Sequence, residues 1–197
     1  MEDVRSEPAP GRGLALVLAS RSPQRREILE RLGVPFEVRP SDAAELEQGE
    51  PQALALENAL RKARAACLPG RAEAVIGCDT IVALAGTLYG KPADAEQARA
   101  TLSALSGATH EVISGLALLL PGEERTTLAR TAVSFRALEP QELDAYVATE
   151  EWRDRSGGYA IQRAGARLVE AINGDIDNVV GLPLASLLAI YPELARR

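Results

Sequence analysis

An apolar run that stops at a carboxylate constrains this chain more than any other stretch. Residues 74–82 read Ala-Val-Ile-Gly-Cys-Asp-Thr-Ile-Val. A run of this length and composition predicts a short buried strand with Asp79 delivered at its end. In open α/β sheets ligands gather in the crevice beyond the carboxyl ends of the strands, where a carboxylate is well sited for metal or water chemistry. An Asp that merely caps the turn after a strand is the structural alternative.

The segments around this strand alternate between strand and helix patterns. Residues 14–19 form a continuous apolar run of strand length, followed by Ser20-Arg21-Ser22-Pro23-Gln24-Arg25-Arg26. Ser22 before Pro23 predicts an N-cap with proline at the first helical position, and Gly33 closes the helix. A helix N-terminus offers unpaired N–H groups and a partial positive charge, so two serines and Arg21, Arg25 and Arg26 within one turn suit an anion cradle. The same residues also make an ordinary capped helix with a solvated basic face.

A short strand is predicted over 35–39 and an acidic loop, containing Glu45, over 41–50. Next comes a helix over 51–67 with Leu56, Leu60, Ala63 and Cys67 on one face. Lys62 lies off that stripe and reads by itself as a surface lysine. Residues 81–90 predict two short strands around a glycine turn. Asp94 caps a helix that Gly107 ends, and Pro121-Gly122 splits two β-rich runs, 109–120 and 126–138, into a hairpin. A helix is predicted over 140–149, a strand over 167–172, and a closing helix from Pro183 to about Ala195. Helices alternating with strands, with at least one hairpin, give an α/β class with a mixed sheet.

Composition narrows the function classes. The chain has 197 residues, 46% hydrophobic and 25% charged, which suits one soluble domain over residues 14–197 after a disordered tail at residues 1–13. A formal charge of −6 argues against nucleic acid as a partner, because basic patches supply most of that affinity. One histidine, His110, and two cysteines, Cys67 and Cys78, without metal-ligand spacing do not support a zinc site. His110 reads as structural and Cys78 as a small packed hydrophobe. The thiols fit a reducing, cytoplasmic compartment. No apolar run is long enough to span a membrane.

Outside the apolar stripes stand two carboxylates, Asp79 and Glu45, two lysines, Lys62 and Lys91, and the serine-arginine segment. That set suits hydrolysis of a phosphoanhydride, with carboxylates to hold a divalent metal and activate water and cations to neutralise phosphate charge.

Six ordered segments carry a more specific resemblance: Leu18-Ala19-Ser20-Arg21-Ser22-Pro23-Gln24-Arg25-Arg26, Gly77-Cys78-Asp79-Thr80, Lys91-Pro92, Leu105-Ser106-Gly107-Ala108-Thr109-His110, Gly158-Tyr159-Ala160-Ile161-Gln162 and Asn178-Val179-Val180-Gly181-Leu182-Pro183. In these the chain resembles the Maf family of nucleoside triphosphate pyrophosphatases. The resemblance implies an elongated mixed sheet flanked by helices, with two lobes and a central cleft as in the inosine triphosphatases. It implies cleavage of a nucleoside triphosphate to the monophosphate and pyrophosphate by water attack at the α-phosphorus, with Mg²⁺, Mn²⁺ or Co²⁺, by a homodimer. Carried over by residue, Asp79 is the general base, and Glu45 and Asp79 hold metal. Ser20, Ser22, Arg25, Lys62 and Lys91 meet the phosphates.

Thr80 and Gln162 match positions that help choose the base in the dTTP- and UTP-cleaving branch. Gln24 departs from that branch, which usually carries Arg there, and from the 7-methyl-GTP branch, which carries Trp. Arg163 replaces a usual glycine, and Trp152-Arg153-Asp154-Arg155-Ser156 replaces a proline-containing Asp-Lys-Ala run. These departures bear on base selection and leave the hydrolytic residues untouched. A non-catalytic regulator of septum formation is the alternative reading. A phosphatase with an aspartyl nucleophile is a second one, disfavoured because no Asp-x-Asp pair surrounds Asp79.

Overall fold

The computed structural model describes residues 14–196; the tail expected at 1–13 lies outside the described residues. The elements run in the order β1 (Ala15–Leu18), α1 (Pro23–Glu30), β2 (Glu37–Val38), α2 (Pro51–Ala66), β3 (Glu73–Leu84), β4 (Thr87–Tyr89) and α3 (Ala95–Leu105). They continue with β5 (Thr109–Leu120), β6 (Glu123–Phe135), α4 (Pro140–Val147), β7 (Val169–Asn173), α5 (Ile176–Val180) and α6 (Leu184–Ile190). The strands form one seven-stranded sheet in the order β2-β1-β3-β5-β6-β7, with β4 also on β3. Pairing is parallel among β1, β2 and β3 and antiparallel elsewhere. The expected mixed α/β sheet is what the chain forms.

Local chemistry sets the helix starts. The Ser22 hydroxyl accepts from Arg25 N at 3.4 Å and Pro23 follows it, while the Asp94 carboxylate accepts from Gln97 N at 2.8 Å. Side-chain oxygens here satisfy N–H groups that a first helical turn leaves unpaired. Gly122, at φ +76°, closes the β5–β6 hairpin. The closing helix is shorter than expected. It ends at Ile190, Pro192 begins a 3₁₀ turn, and α5 precedes it, ended by Gly181 at φ 128°.

The strand carrying Asp79 departs most from expectation, because it does not end there. β3 continues to Leu84, since β5 pairs alongside it from Val75 to Ala83 and sustains the extended backbone. Asp79 is therefore in mid-strand, opposite Gly115.

Side chains alternate across a strand, so Asp79 and Thr80 face opposite sides of the sheet. On the Thr80 side two apolar cores lie at opposite ends. One gathers Ile76, Leu116 and Leu118 with Leu29 and Leu187, and the other gathers Val82, Val112 and Phe135 with Leu102 and Trp152. His110, fully buried in the second region, stacks edge-on against Phe135 and Tyr159, and its Nε2 lies 2.9 Å from the Tyr159 hydroxyl. Burial pushes its pKa down to about 4, so it is a neutral structural ring at neutral pH.

On the Asp79 side lies α2. Its buried face is Leu54, Ala55, Asn58, Ala59, Ala63 and Ala66, which shares Ala63 with the expected stripe, while Leu56 and Leu60 are half-buried and Cys67 is exposed past the helix end. Small residues are required because the helix sits almost on the sheet backbone. A Cβ built on Gly77 falls 2.2 Å from the Ala59 carbonyl oxygen, and one on Gly115 falls 2.3 Å from that of Ala55. Gly115→Ala is thus expected to destabilise the fold by about 3 kcal/mol, since overpacked backbone cannot rotate away. Gly90→Ala, with open space around it, should stay within about 0.5 kcal/mol. Urea unfolding of both variants checks this; equal stabilities would show that α2 does not depend on the glycine contact.

Candidate functional site

The edge of β3 is covered in two pieces. β1 pairs with it as far as Ile76, and β4 takes over at Val82. Between them, residues 77–81 have no strand partner on that edge among the described residues. A cavity of about 520 Å³ opens beside this gap, and Ser20, Ser22, Arg25, Glu45, Lys62 and Thr80 line it.

On the α2 side the site is ionic. The Lys62 ammonium lies 2.6 Å from Asp79 Oδ1 and 2.7 Å from Glu45 Oε1, with only 12% of its side chain exposed. Lys62 is therefore no surface lysine. It projects from α2, which the glycine contacts seat close to the sheet. Asn58, one helical turn earlier, donates to Asp79 Oδ2 at 3.1 Å. Both carboxylate oxygens of Asp79 are engaged, and Asp79 itself lies behind the cavity wall, 6% exposed.

On the opposite side stands a cationic and hydroxylic cluster. Arg25 donates to the Gly181 carbonyl at 2.8 Å, to Thr80 Oγ1 at 3.2 Å and to Ser20 Oγ at 3.3 Å. Thr80 Oγ1 also lies 2.9 Å from Ser114 Oγ. The Ser22 hydroxyl donates to Gln24 Oε1 at 3.0 Å. Of the three arginines expected near the helix start, Arg26 turns outward to Glu30 and does not line the cavity, while Arg21 lines it and pairs with Asp42 at the surface. Lys91 and Gln162 stand on the wall, both solvent-exposed. Ser20, Ser22, Gln24, Arg25, Glu45, Lys62, Thr80, Lys91 and Gln162 all line this one cavity; Arg26 does not, and Asp79 touches it through Lys62.

Several lining residues lay outside the sequence reading. The 152–156 stretch, which departs from the family pattern, also lines the wall through Asp154, Arg155 and Ser156. The Ser156 hydroxyl donates to the Thr80 carbonyl at 3.0 Å, and Gly157 N donates to the Gly90 carbonyl at 3.0 Å, which brings this stretch against Lys91. Arg155 makes no side-chain hydrogen bond or ion pair among the described residues; burial and then Arg163 hold its pKa below the usual value. The signal for Ser156 was the glycine pair behind it, since a Cβ on Gly158 would meet Pro92 at 3.1 Å. Asn58 carried no such signal. The buried Cys78 thiol donates to the Gly181 carbonyl at 3.2 Å, and burial pushes its pKa up, so it is no nucleophile.

Chemically, the arrangement sets a pair of carboxylates on one side of a cleft and an anion-binding cluster on the other. Glu45 and Asp79 converge on a single cation position, which Lys62 holds, so two hard oxygen donors fit a Mg²⁺-type ion in part. No group of three or more His, Cys, Asp or Glu suited to a metal occurs among the described residues. An ion here would take further ligands from substrate oxygens and water, as Mg²⁺ commonly does.

The family model described as Maf-like protein matches residues 15–194. A dTTP/UTP pyrophosphatase of Moorella thermoacetica is 48% identical over 183 residues, covering 89% of this chain and 94% of that protein. One of Deinococcus radiodurans is 45% identical over 176 residues, covering 89% and 90%. One of Pyrococcus furiosus is 41% identical over 177 residues, covering 89% and 93%.

Proposed function

This chain belongs to the Maf family, and on that premise we propose that it hydrolyses nucleoside triphosphates, dTTP and UTP foremost, to the monophosphate and pyrophosphate. One observation carries the reading: an Asp79–Lys62–Glu45 cluster, shielded at Asp79 and Lys62 and open to solvent at Glu45, faces the Ser20, Ser22 and Arg25 cluster across one cleft.

In this reading the triphosphate lies along the cleft, with Ser20, Ser22, Arg25 and Lys91 meeting phosphate oxygens. Asp79 takes a proton from the water that attacks the α-phosphorus. Lys62 turns its charge toward the phosphates as negative charge develops on the leaving pyrophosphate, a stabilisation worth more inside a closed cleft than in water. A divalent ion bound at Glu45 and Asp79 would supply Lewis-acid polarisation of the phosphoryl oxygens.

The base rests toward Thr80, Gln24 and Gln162. Hydrogen-bonding groups left unsatisfied by the wrong base penalise it. The names of the curated relatives support the pyrimidine preference. No helix is long and apolar enough to cross a membrane among the described residues, and the free Cys67 and Cys78 suit a cytoplasmic location. A homodimer is the assembly this reading carries, with residues 14–197 acting as one domain.

A panel of canonical and modified nucleoside triphosphates with Mg²⁺ or Mn²⁺, assayed for pyrophosphate, is expected to give the highest kcat/KM for dTTP and UTP. No pyrophosphate from any of them would leave the non-catalytic regulator as the reading. Asp79→Asn is expected to lower kcat by at least about 10²-fold while calorimetric nucleotide binding persists. Unchanged turnover per folded molecule, with stability lost, would make Asp79 structural.

A further inference from the structure

We infer that Asn58 is a positioning residue of this site, a single buried amide that sets the Asp79 carboxylate and the Glu45-bearing loop in register with each other. The inference rests on the hydrolytic reading above.

Asn58 is 2% exposed and sits on the α2 face otherwise made of Leu54, Ala55, Ala59, Ala63 and Ala66. Packing there asks for an apolar residue. An asparagine carries lower helix propensity and costs free energy to desolvate unless it is hydrogen-bonded. Its bonds answer that cost in a specific way. Asn58 Oδ1 accepts from Leu46 N at 2.7 Å, while Nδ2 donates to the Leu46 carbonyl at 3.0 Å and to Asp79 Oδ2 at 3.1 Å. Leu46 N can only donate, and a carbonyl and a carboxylate can only accept, so this amide has one workable orientation and both its N–H groups are used.

The consequence reaches both carboxylates. Residues 41–47 have no helix or strand to hold them, and the paired bonds to Leu46 pin the residue beside Glu45. Asp79, with Lys62 on Oδ1 and Asn58 on Oδ2, cannot rotate its carboxylate without breaking one of the two. The amide thereby fixes where the proton acceptor points and where its companion carboxylate stands, which is where small displacements are costly to a reaction.

Two variants test it. Asn58→Asp keeps an acceptor for the Leu46 N–H but turns acceptors toward the Leu46 carbonyl and Asp79. Asn58→Ala removes the amide, suits a helix, and leaves room for water if the first variant folds poorly. Both are expected to lose about 30-fold or more in kcat with KM for dTTP changed less than about 3-fold, because the groups that meet the phosphates are untouched. Thermal unfolding is measured alongside. A lower melting temperature with wild-type kcat per folded molecule, or a loss carried by KM, overturns the inference. Absence of turnover in the wild-type protein across the nucleotide panel overturns instead the hydrolytic reading on which it rests.

Discussion

The seating of α2 on the sheet is the constraint from which the site follows. Gly77 lies two residues before Asp79 in β3 and Gly115 lies opposite it in β5, and their missing side chains let the Ala59 and Ala55 backbone come down onto the two strands. With α2 seated this close, the Lys62 ammonium lies 2.6 Å from Asp79 Oδ1. A buried carboxylate without that partner would carry a large desolvation penalty. The glycines thus make a charged residue tolerable in the middle of a buried strand.

The cleft has a separate origin in how β3 is shared. β1 covers one end of its free edge and β4 the other, and the two apolar cores on the Thr80 side divide at the same place. The segment left between them is polar: Thr80, Ser114 and Arg25 replace the aliphatic side chains found to either side. Because successive residues face opposite sides of the sheet, Asp79 and its neighbour Thr80 point to the α2 side and the Arg25 side respectively. The proposed division between hydrolysis and base choice follows that alternation.

Much of this was legible in the sequence wherever the cause is local. Ser22-Pro23, Asp94 and Pro121-Gly122 act on their own neighbours, and the helix starts and the hairpin came out as expected. Where the cause is distant, the reading went astray. The length of β3 is set by β5, whose Gly115 pairs with Asp79 from far along the chain, so an apolar run breaking at Asp79 reads as a strand end. The stripe expected on α2 follows its leucines, whereas contact with the glycines selects the alanine face. Asn58 looks like any polar residue on a helix until its three partners are seen. Arg155 and Ser156 reach the cavity because residues 157–158 dock against Gly90 and Pro92, a long-range contact that local pattern does not encode.

The central claim is that water directed from the Asp79 side attacks the α-phosphorus with pyrophosphate leaving. Turnover of dTTP in H₂¹⁸O, with both products weighed by mass spectrometry, tests it most directly. The account predicts one ¹⁸O atom in the nucleoside monophosphate and none in the pyrophosphate. Label in the pyrophosphate would mean attack at the β-phosphorus and would contradict it.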